Sequence, residues 1–263
     1  MEIQLKPNKK IYFASDFHLG IPDYETSRKR EELIVKWLDD ISVDASHILL
    51  MGDIFDFWFE YKRVVPKGFV RILGKLAQLT DSGIEIHLFT GNHDMWMHNY
   101  FEKELSVIIQ RKPIIATINN TTFYLAHGDG IGPGDKNYKL LKTIFSSRLL
   151  QWTFSRLHPN FALMFANAWS QKSRLVNHLD DEVFFGNEER LILFSNEYLK
   201  THKRLDYFIF GHRHLAYNIE IDNKARIINL GEWVKQKTFA EFDGTELNLR
   251  YYPSWEIVVN PVS

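Results

Sequence analysis

The stretch Ile84-Glu85-Ile86-His87-Leu88-Phe89-Thr90-Gly91-Asn92-His93-Asp94 joins an apolar, strand-like run to a cluster of polar side chains. Apolar runs also precede four further clusters: Asp16-Phe17-His18, Gly52-Asp53, His127-Gly128-Asp129 and Gly211-His212-Arg213-His214. Side chains that leave the ends of several buried strands meet on one rim of an open α/β sheet. Carboxylate, amide and imidazole groups are suitable ligands for hard or borderline divalent metals. The pattern therefore predicts one metal site that is assembled from distant parts of an α/β protein.

The spacing of apolar residues predicts how the strands and helices are arranged. Apolar residues recur at helical spacing over residues 25–41 and 69–79. Further along, strand-like runs separated by short turns predict three hairpins: 114–118 with 122–126, 217–221 with 226–229, and 238–242 with 245–251. Parallel-type units followed by hairpins predict two packed sheets with helices outside them. Because no repeat or linker divides the chain, we expect a single domain over residues 1–263.

The composition argues against several classes of protein, including nucleic-acid-binding, disulfide-bonded and membrane-spanning proteins. The 263 residues include 32 Lys and Arg against 33 Asp and Glu, so the formal net charge is only -1. A nuclease normally presents a broad basic surface, and this balance argues against nucleic acid as the partner. The chain has no cysteine, which excludes disulfides and thiolate metal sites. No apolar run has the length of a membrane span or a signal peptide, and we expect a cytoplasmic protein.

One segment differs in composition from the rest. Between Asp135 and Asp180 there is no acidic residue, and there are seven cations: Lys136, Lys139, Lys142, Arg148, Arg156, Lys172 and Arg174. The segment is also rich in apolar and aromatic residues, and Pro159 divides it into two expected helices. Two interpretations remain open. The helices either pack an ordinary apolar stripe on a sheet, or cap the metal site and receive an amphiphilic, anionic substrate. Such helices can also rest peripherally on an anionic bilayer such as the inner membrane.

Each polar cluster has an ordinary structural explanation when it is considered alone. Asp16 and His18 could be a surface acid beside a packing histidine, Asp53 could be a turn residue, and Asn92 could cap a helix. Gly211-His212-Arg213-His214 is harder to explain in this way, because three potentially cationic residues end an apolar strand. Metal coordination keeps an imidazole neutral, so histidines at the end of an apolar strand are explained if they bind a metal. All the ordinary explanations would have to hold together, so we favour a two-metal hydrolase.

The same residues carry a family resemblance. From Ile11 to about Trp233 the chain resembles the calcineurin-like metallophosphoesterase superfamily, whose pattern is Asp-x-His, Gly-Asp-x-x-Asp, Gly-Asn-His-Asp/Glu, a lone His, and Gly-His-x-His. The resemblance implies a four-layer α/β/β/α sandwich and two divalent ions, most often Mn²⁺ and sometimes Fe or Zn. It implies that Asp16, His18 and His214 hold one ion. It implies that Asn92, His127 and His212 hold the other, with Asp53 bridging both.

Two further residues have catalytic roles by this resemblance. His93 adjoins a ligand without being one, and it is expected to stabilise developing charge or to protonate the leaving oxygen. General acid–base catalysis of this kind contributes about 10²–10⁴-fold to the rate. Asp56 is expected to orient His93 and to raise its pKa. The alternative for Asp56 is a solvated carboxylate in a turn.

Within the superfamily, the segments 15–20, 52–58 and 127–129 resemble the UDP-2,3-diacylglucosamine pyrophosphatase branch of lipid A synthesis. The branch implies a helical insertion or cap, here residues 136–200. Its candidate substrate contacts are Asp135, Tyr138, Ser170, Lys172 and Arg174. The implied reaction is attack of a metal-bridging hydroxide on the pyrophosphate, which releases UMP and a lipid monophosphate.

The chain departs from this branch at two positions. His93 stands where the branch typically has Arg, and Asp56 stands where it tends to have Glu. These departures leave two alternatives open. One is a phosphodiesterase or pyrophosphatase of other specificity, and the other is a metal-binding scaffold without turnover.

Overall fold

Two six-stranded sheets form the centre of the protein. The computed structural model describes residues 1–134, 136–164, 183–202 and 204–260. The strands are β1 (Glu2–Ile3), β2 (Lys10–Ala14), β3 (Ala45–Leu50), β4 (Glu85–Phe89), β5 (Ile108–Gln110), β6 (Ile114–Ile118), β7 (Thr121–Leu125), β8 (Tyr207–Phe210), β9 (Ala216–Glu220), β10 (Arg226–Leu230), β11 (Thr238–Phe242) and β12 (Leu247–Tyr251). One sheet has the order β1-β6-β7-β8-β10-β9, and the other has the order β12-β11-β2-β3-β4-β5. Both sheets mix parallel and antiparallel pairs.

Six α-helices have both ends within the described residues, and residues 159–164 are also helical. The six are α1 (Tyr24–Ile41), α2 (Val70–Asp81), α3 (Tyr100–Leu105), α4 (Lys136–Phe145), α5 (Arg148–Phe154) and α6 (Arg190–Thr201). The helix α1 begins where Asp23 accepts a hydrogen bond from the Thr26 amide at 2.8 Å, which is the usual role of an N-cap carboxylate. Within the described residues, no helix combines the length and the apolar character that crossing a membrane requires.

Three separate apolar cores define four layers. Side chains alternate along a strand, so Ile11 and Phe13 of β2 face the other sheet, whereas Tyr12 and Ala14 face the helices. The core between the sheets joins β2, β3 and β4 to β6, β7, β8 and β10. The helices α1, α2 and α3 cover the outer face of the sheet that contains β2. The helix α6 covers the outer face of the sheet that contains β7. The predicted α/β/β/α sandwich of two mixed sheets is therefore confirmed.

The structure differs from the sequence-based expectation in the segment after Asp129. Residues 136–158 were expected to form one helix before Pro159, but they form α4 and α5. The break follows Phe145, whose carbonyl accepts a hydrogen bond from the Trp96 indole at 2.8 Å. The Gln151 side-chain amide also donates to this carbonyl, at 3.4 Å, so side chains satisfy an oxygen at the helix end that has no partner within the helix. The helix α6, which lies within the predicted insertion 136–200 except for its last residue, packs on a sheet as an outer layer.

We predict that the core under α1 contributes strongly to stability. Trp37 is fully buried and packs against Phe17, Trp233 and Phe239, with ring centroids 5.1–6.2 Å apart. Trp37→Ala should therefore lower the free energy of unfolding by about 3–5 kcal/mol. The measurement is urea unfolding followed by circular dichroism. Lys36→Ala, at an exposed position of the same helix, should change it by less than about 0.5 kcal/mol. Equal effects of the two substitutions would contradict the assignment of this core.

Candidate metal centre

The polar clusters lie at the carboxyl ends of five strands. Clusters from one sheet follow β2, β3 and β4, which are parallel neighbours, and clusters from the other sheet follow β7 and β8, which are also parallel neighbours. Parallel strands end at the same edge of a sheet, so each sheet presents its polar residues on one rim. The structure brings together seven predicted ligands: Asp16, His18, Asp53, Asn92, His127, His212 and His214.

The first group consists of Asp16, His18 and His214. Asp16 Oδ1 lies 3.5 Å from His18 Nε2 and 3.4 Å from His214 Nε2. The two imidazole nitrogens are 3.1 Å apart. One carboxylate oxygen and two imidazole nitrogens that converge at these distances can hold a metal ion. The group includes the residues that the resemblance assigned to one ion.

The second group consists of Asp53, His127 and His212, with Asn92 beside them. Asp53 Oδ2 lies 3.3 Å from His127 Nε2. The side-chain oxygen of Asn92 lies 3.0 Å from His212 Nδ1 and 3.4 Å from His127 Nε2. His127 Nδ1 donates a hydrogen bond to the carbonyl oxygen of Met51 at 2.7 Å, so Nε2 is the nitrogen that remains for a metal.

Buried polar atoms in the first group suit a cation. Asp16 is fully buried, yet its Oδ1 receives no hydrogen bond from any described residue. The nitrogen of His18 that faces this oxygen is Nε2, at 3.5 Å, whereas Nδ1 lies 3.7 Å from the Asp56 carboxylate. A buried carboxylate oxygen without a donor is costly unless a cation neutralises it. The oxygen and nitrogen atoms of the two groups therefore fit divalent metals, which is also the chemistry that their ligand types favour.

The acids and imidazoles strongly perturb one another. Burial acts to raise the pKa of Asp16, but His18 and His214 outweigh it and hold the pKa well below the usual value. Burial acts to lower the pKa of His127, but the carboxylates of Asp53 and Asp16 raise it to about 10. Burial lowers the pKa of His212 to about 4, with the charge of His127 acting in the same direction. Such strong mutual shifts are typical of functional sites.

His93 and Asp56 lie beside the first group. His93 Nδ1 donates a hydrogen bond to the main-chain oxygen of Asp56 at 3.0 Å, and it lies 3.7 Å from the Asp56 carboxylate. The same carboxylate lies 3.7 Å from His18 Nδ1. Asp56 acts to raise the pKa of His93 as expected, but burial outweighs it and the pKa is lowered. The contribution of Asp56 therefore has the expected direction, and burial determines the direction of the net shift.

The sequence analysis gave Asp94 no role, and the structure shows one. Its Oδ1 accepts a hydrogen bond from the Gly91 amide, and its Oδ2 accepts one from the Ile54 amide, both at 2.8 Å. Asp94 thus ties the loop after β3 to the loop after β4. Burial raises its pKa to about 7. Asp94 is the last residue of the Gly-Asn-His-Asp motif, and its place in that motif was the feature of the sequence that could have indicated this role.

Other supporting contacts come from residues far apart in the sequence. Arg213, inside the Gly-His-Arg-His motif, pairs with Glu189 ahead of α6 at 3.1 Å. The buried Arg30 of α1 donates hydrogen bonds to the main-chain oxygens of Phe17 and His18 at 2.8 and 2.6 Å. These contacts hold the loops that carry the candidate ligands.

Of the five predicted substrate contacts, the structure describes one side chain. The Tyr138 hydroxyl donates a hydrogen bond to Asp129 Oδ2 at 2.7 Å, and its ring centroid lies 6.2 Å from that of His212. Lys142 Nζ lies 2.6 Å from the same carboxylate oxygen. Asp129 therefore connects α4 to the His-Gly-Asp motif, a role that the sequence analysis did not assign. Asp135, Ser170, Lys172 and Arg174 lie outside the described residues.

The backbone around the candidate ligands is strained. Asp16, His18, Asp53 and His212 all have φ between 44° and 64°, a region that residues with a side chain rarely adopt. Backbone strain of this kind is found at functional sites. The loops also approach one another too closely for side chains at several glycines, among them Gly91 and Gly211. A Cβ at Gly91 would lie 2.6 Å from the Asp53 amide nitrogen, and one at Gly211 would lie 2.6 Å from Asp16 Oδ2.

Comparisons with known proteins agree with this geometry. The family model described as calcineurin-like phosphoesterase matches residues 9–216. A UDP-2,3-diacylglucosamine hydrolase of Porphyromonas gingivalis is 38% identical over 252 residues, which cover 91% of this chain and 96% of that protein. A protein of the same name from Histophilus somni is 26% identical over 231 residues, with coverages of 86% and 92%.

A solved structure is also similar. The crystal structure of a dimetal phosphatase from Danio rerio matches with a TM-score of 0.46 and 14% identity, covering 94% of this chain and 96% of that one.

The family match, the curated relatives and the converging ligand groups identify the protein as a metal-dependent phosphoester hydrolase. More particularly, the chain belongs to the calcineurin-like phosphoesterase family, whose model covers most of its length. The predicted family and the predicted class of enzyme are therefore confirmed.

We predict that Gly91 is required for metal binding. In Gly91→Ala the new methyl group would push against Asp53, so metal affinity should fall by about 10–100-fold, the usual effect of disturbing the support of a ligand. The measurement is calorimetric titration with Mn²⁺. The control is Gly74→Ala, because a Cβ at Gly74 in α2 meets nothing within 4 Å. It should keep metal binding and add about 0.5–1 kcal/mol of stability. Unchanged affinity in Gly91→Ala would contradict the close approach.

Proposed function

We propose that the protein hydrolyses the pyrophosphate bond of UDP-2,3-diacylglucosamine, releasing UMP and a lipid monophosphate. The observation that carries this proposal is the similarity to the Porphyromonas gingivalis hydrolase, which extends over nearly the full length of both chains. Relatives of the same name at 22–26% identity also cover most of the chain. The groups at the strand ends that could hold metal ions support the proposal, because such a hydrolysis needs bound metal.

The ligand assignment belongs to the same proposal. Asp16, His18 and His214 would hold one ion, and Asn92, His127 and His212 would hold the second, with Asp53 shared between them. The proximity of Asp53 to His127, at 3.3 Å, and of Asp16 to His214, at 3.4 Å, supports this division. Two bound divalent ions would supply activation of water and neutralisation of the phosphate oxygens. Manganese is the ion we propose, with iron or zinc as alternatives.

His93 is proposed to stabilise developing charge or to protonate the leaving oxygen. Its Nδ1 is occupied by the hydrogen bond to the Asp56 carbonyl oxygen, because a carbonyl only accepts. The other ring nitrogen, Nε2, is therefore the one that can serve the reaction. The main-chain amide of His93 donates a hydrogen bond to Asp53 Oδ1 at 2.8 Å, so the backbone of His93 is held beside a candidate ligand. Asp56 is proposed as the positioning residue for His93.

The helices α4 and α5 are proposed as a cap that meets the lipid part of the substrate. No residue of α5 is buried, and Leu149 and Trp152 are 70% and 56% exposed. This exposure does not suit helices that simply pack an apolar stripe on a sheet. Phe154 of α5 packs on Phe59 and Trp96, which lie in the loops that follow β3 and β4. The cap is therefore attached to the loops of the metal centre, and its exposed face suits acyl chains or an anionic bilayer surface.

We predict that His93→Ala separates catalysis from metal binding. Turnover should fall by about 10²–10⁴-fold, because the variant loses the proposed proton donor. Metal content, measured by mass spectrometry of the purified protein, should stay unchanged. An equal loss of turnover and metal would instead make His93 a ligand.

The proposed substrate can be tested directly. The protein is incubated with UDP-2,3-diacylglucosamine and Mn²⁺, and UMP and lipid monophosphate are measured by liquid chromatography with mass spectrometry. We expect both products in equal amounts, with none after treatment with a chelator and none from Asp53→Asn, in which the shared carboxylate is lost. A chromogenic phosphodiester serves as a second substrate. Turnover of that diester alone would assign the centre to a different phosphoester, and no metal-dependent turnover of either compound would favour a scaffold.

A further inference from the structure

A cavity of about 470 Å³ opens beside the candidate metal centre. Gly91, His127 and Gly128 form part of its lining, so it borders directly on the second group of candidate ligands. Lys142 of α4 and Gln151 of α5 lie on the lining as well, and the cavity therefore lies between the centre and the proposed cap. Its volume falls within the range of about 300–1,000 Å³ that is usual for small-molecule sites.

The lining of this cavity is cationic. It includes four Lys or Arg side chains: Arg111, Lys112, Lys142 and Arg148. Asp129 is the one carboxylate among the described residues that line it. Lys142 lies 2.6 Å from that carboxylate and compensates its charge. The three other cations have no acidic counterpart within the described lining, which favours an anionic ligand.

The side chain of Arg111 is held at the cavity by hydrogen bonds to main-chain oxygens of other residues. Its Nη2 donates hydrogen bonds to the carbonyl oxygens of His98 and Met97, at 2.6 and 3.3 Å. Glu102 lies 3.7 Å from its Nη1, but both side chains are more than 40% exposed, and an exposed ion pair of this length contributes little. A guanidinium held in this way is pre-organised for phosphate, because less conformational freedom is lost on binding.

The uncharged part of the lining suits a nucleoside better than an acyl chain. Phe89, Met95 and Met97 give apolar surface. Gln110 Nε2 lies within hydrogen-bond distance of His87 Nδ1, at 3.1 Å, and Gln151 Nε2 donates to the Phe145 carbonyl at 3.4 Å. The side-chain oxygens of the two glutamines can therefore accept a hydrogen bond from the edge of a base. A long acyl chain would give the cations of the lining no charged partner. The exposed apolar residues of the cap, such as Leu149, offer a separate surface for the lipid.

We propose that this cavity binds the nucleoside monophosphate half of the substrate. The phosphate lies between the candidate metal ligands and the cations Arg111, Lys112 and Arg148, and the base lies against the apolar and amide groups. The identity of the nucleotide as UMP rests on the proposed function, whereas the binding of a nucleoside monophosphate in the cavity does not. It assigns the two halves of the substrate to two sides of the centre, with the nucleotide in the cavity and the lipid on the cap.

The test measures the affinity of each product for the Mn²⁺-loaded protein by calorimetric titration. The double variant Lys112→Met with Arg148→Met removes two exposed cations of the lining. We expect its affinity for UMP to fall about tenfold, because charge-assisted hydrogen bonds to phosphate are lost. We expect its affinity for the lipid monophosphate to change by less than about twofold. Arg156→Met is the matched control, since Arg156 is exposed in the same segment but does not line the cavity.

Three results would overturn the proposal. These are an unchanged UMP affinity in the double variant, an equal loss in the Arg156→Met control, and a loss of affinity for the lipid monophosphate in place of UMP. Failure of the proposed function has a different signature. In that case the wild-type protein does not cleave UDP-2,3-diacylglucosamine, while UMP still binds and still depends on Lys112 and Arg148, which supports the nucleotide site without that substrate.

Discussion

Buried carboxylates of one sheet face imidazoles of the other sheet, and the centre depends on this pairing. Asp16 and Asp53 follow strands of the sheet that contains β2, whereas His214 and His127 follow strands of the sheet that contains β7. The paired atoms are 3.4 and 3.3 Å apart. A buried carboxylate without a partner costs several kcal/mol, so the two sheets must pack with their polar edges on the same rim. The apolar core between the sheets fixes that alignment, and fold and site are therefore parts of one constraint.

Much of the fold could be predicted because its main elements are long and regular. The apolar stripe of α1 and the alternation in the β6–β7 and β9–β10 hairpins extend over enough residues to show a period. The strands β1 and β5 and the helix α3 have two, three and six residues, which is too short for a period to appear. The division between α4 and α5 could not be predicted either, because the Trp96 indole that satisfies the Phe145 carbonyl lies 49 positions away.

The candidate ligands could be predicted from the sequence because each polar cluster directly follows an apolar strand. The residues that support them were harder to find. The pairing of Arg213 with Glu189, and of Asp129 with Lys142, joins distant residues that no local motif connects. The net direction of the His93 pKa was also out of reach, because it depends on burial, which outweighs the nearby carboxylates. Sequence patterns show which chemistry is present, whereas the structure shows how that chemistry is held in place.

The central claim is that two ions share Asp53 at the rim where both sheets end. Anomalous diffraction from crystals soaked in Mn²⁺ tests it most directly. The account predicts two anomalous peaks, one among Asp16, His18 and His214 and one among Asn92, His127 and His212, with the Asp53 carboxylate contacting both. A third group of potential ligands, His18, Asp56 and His93, lies beside them. A single peak within that third group, or two peaks that Asp53 does not reach, would contradict the account.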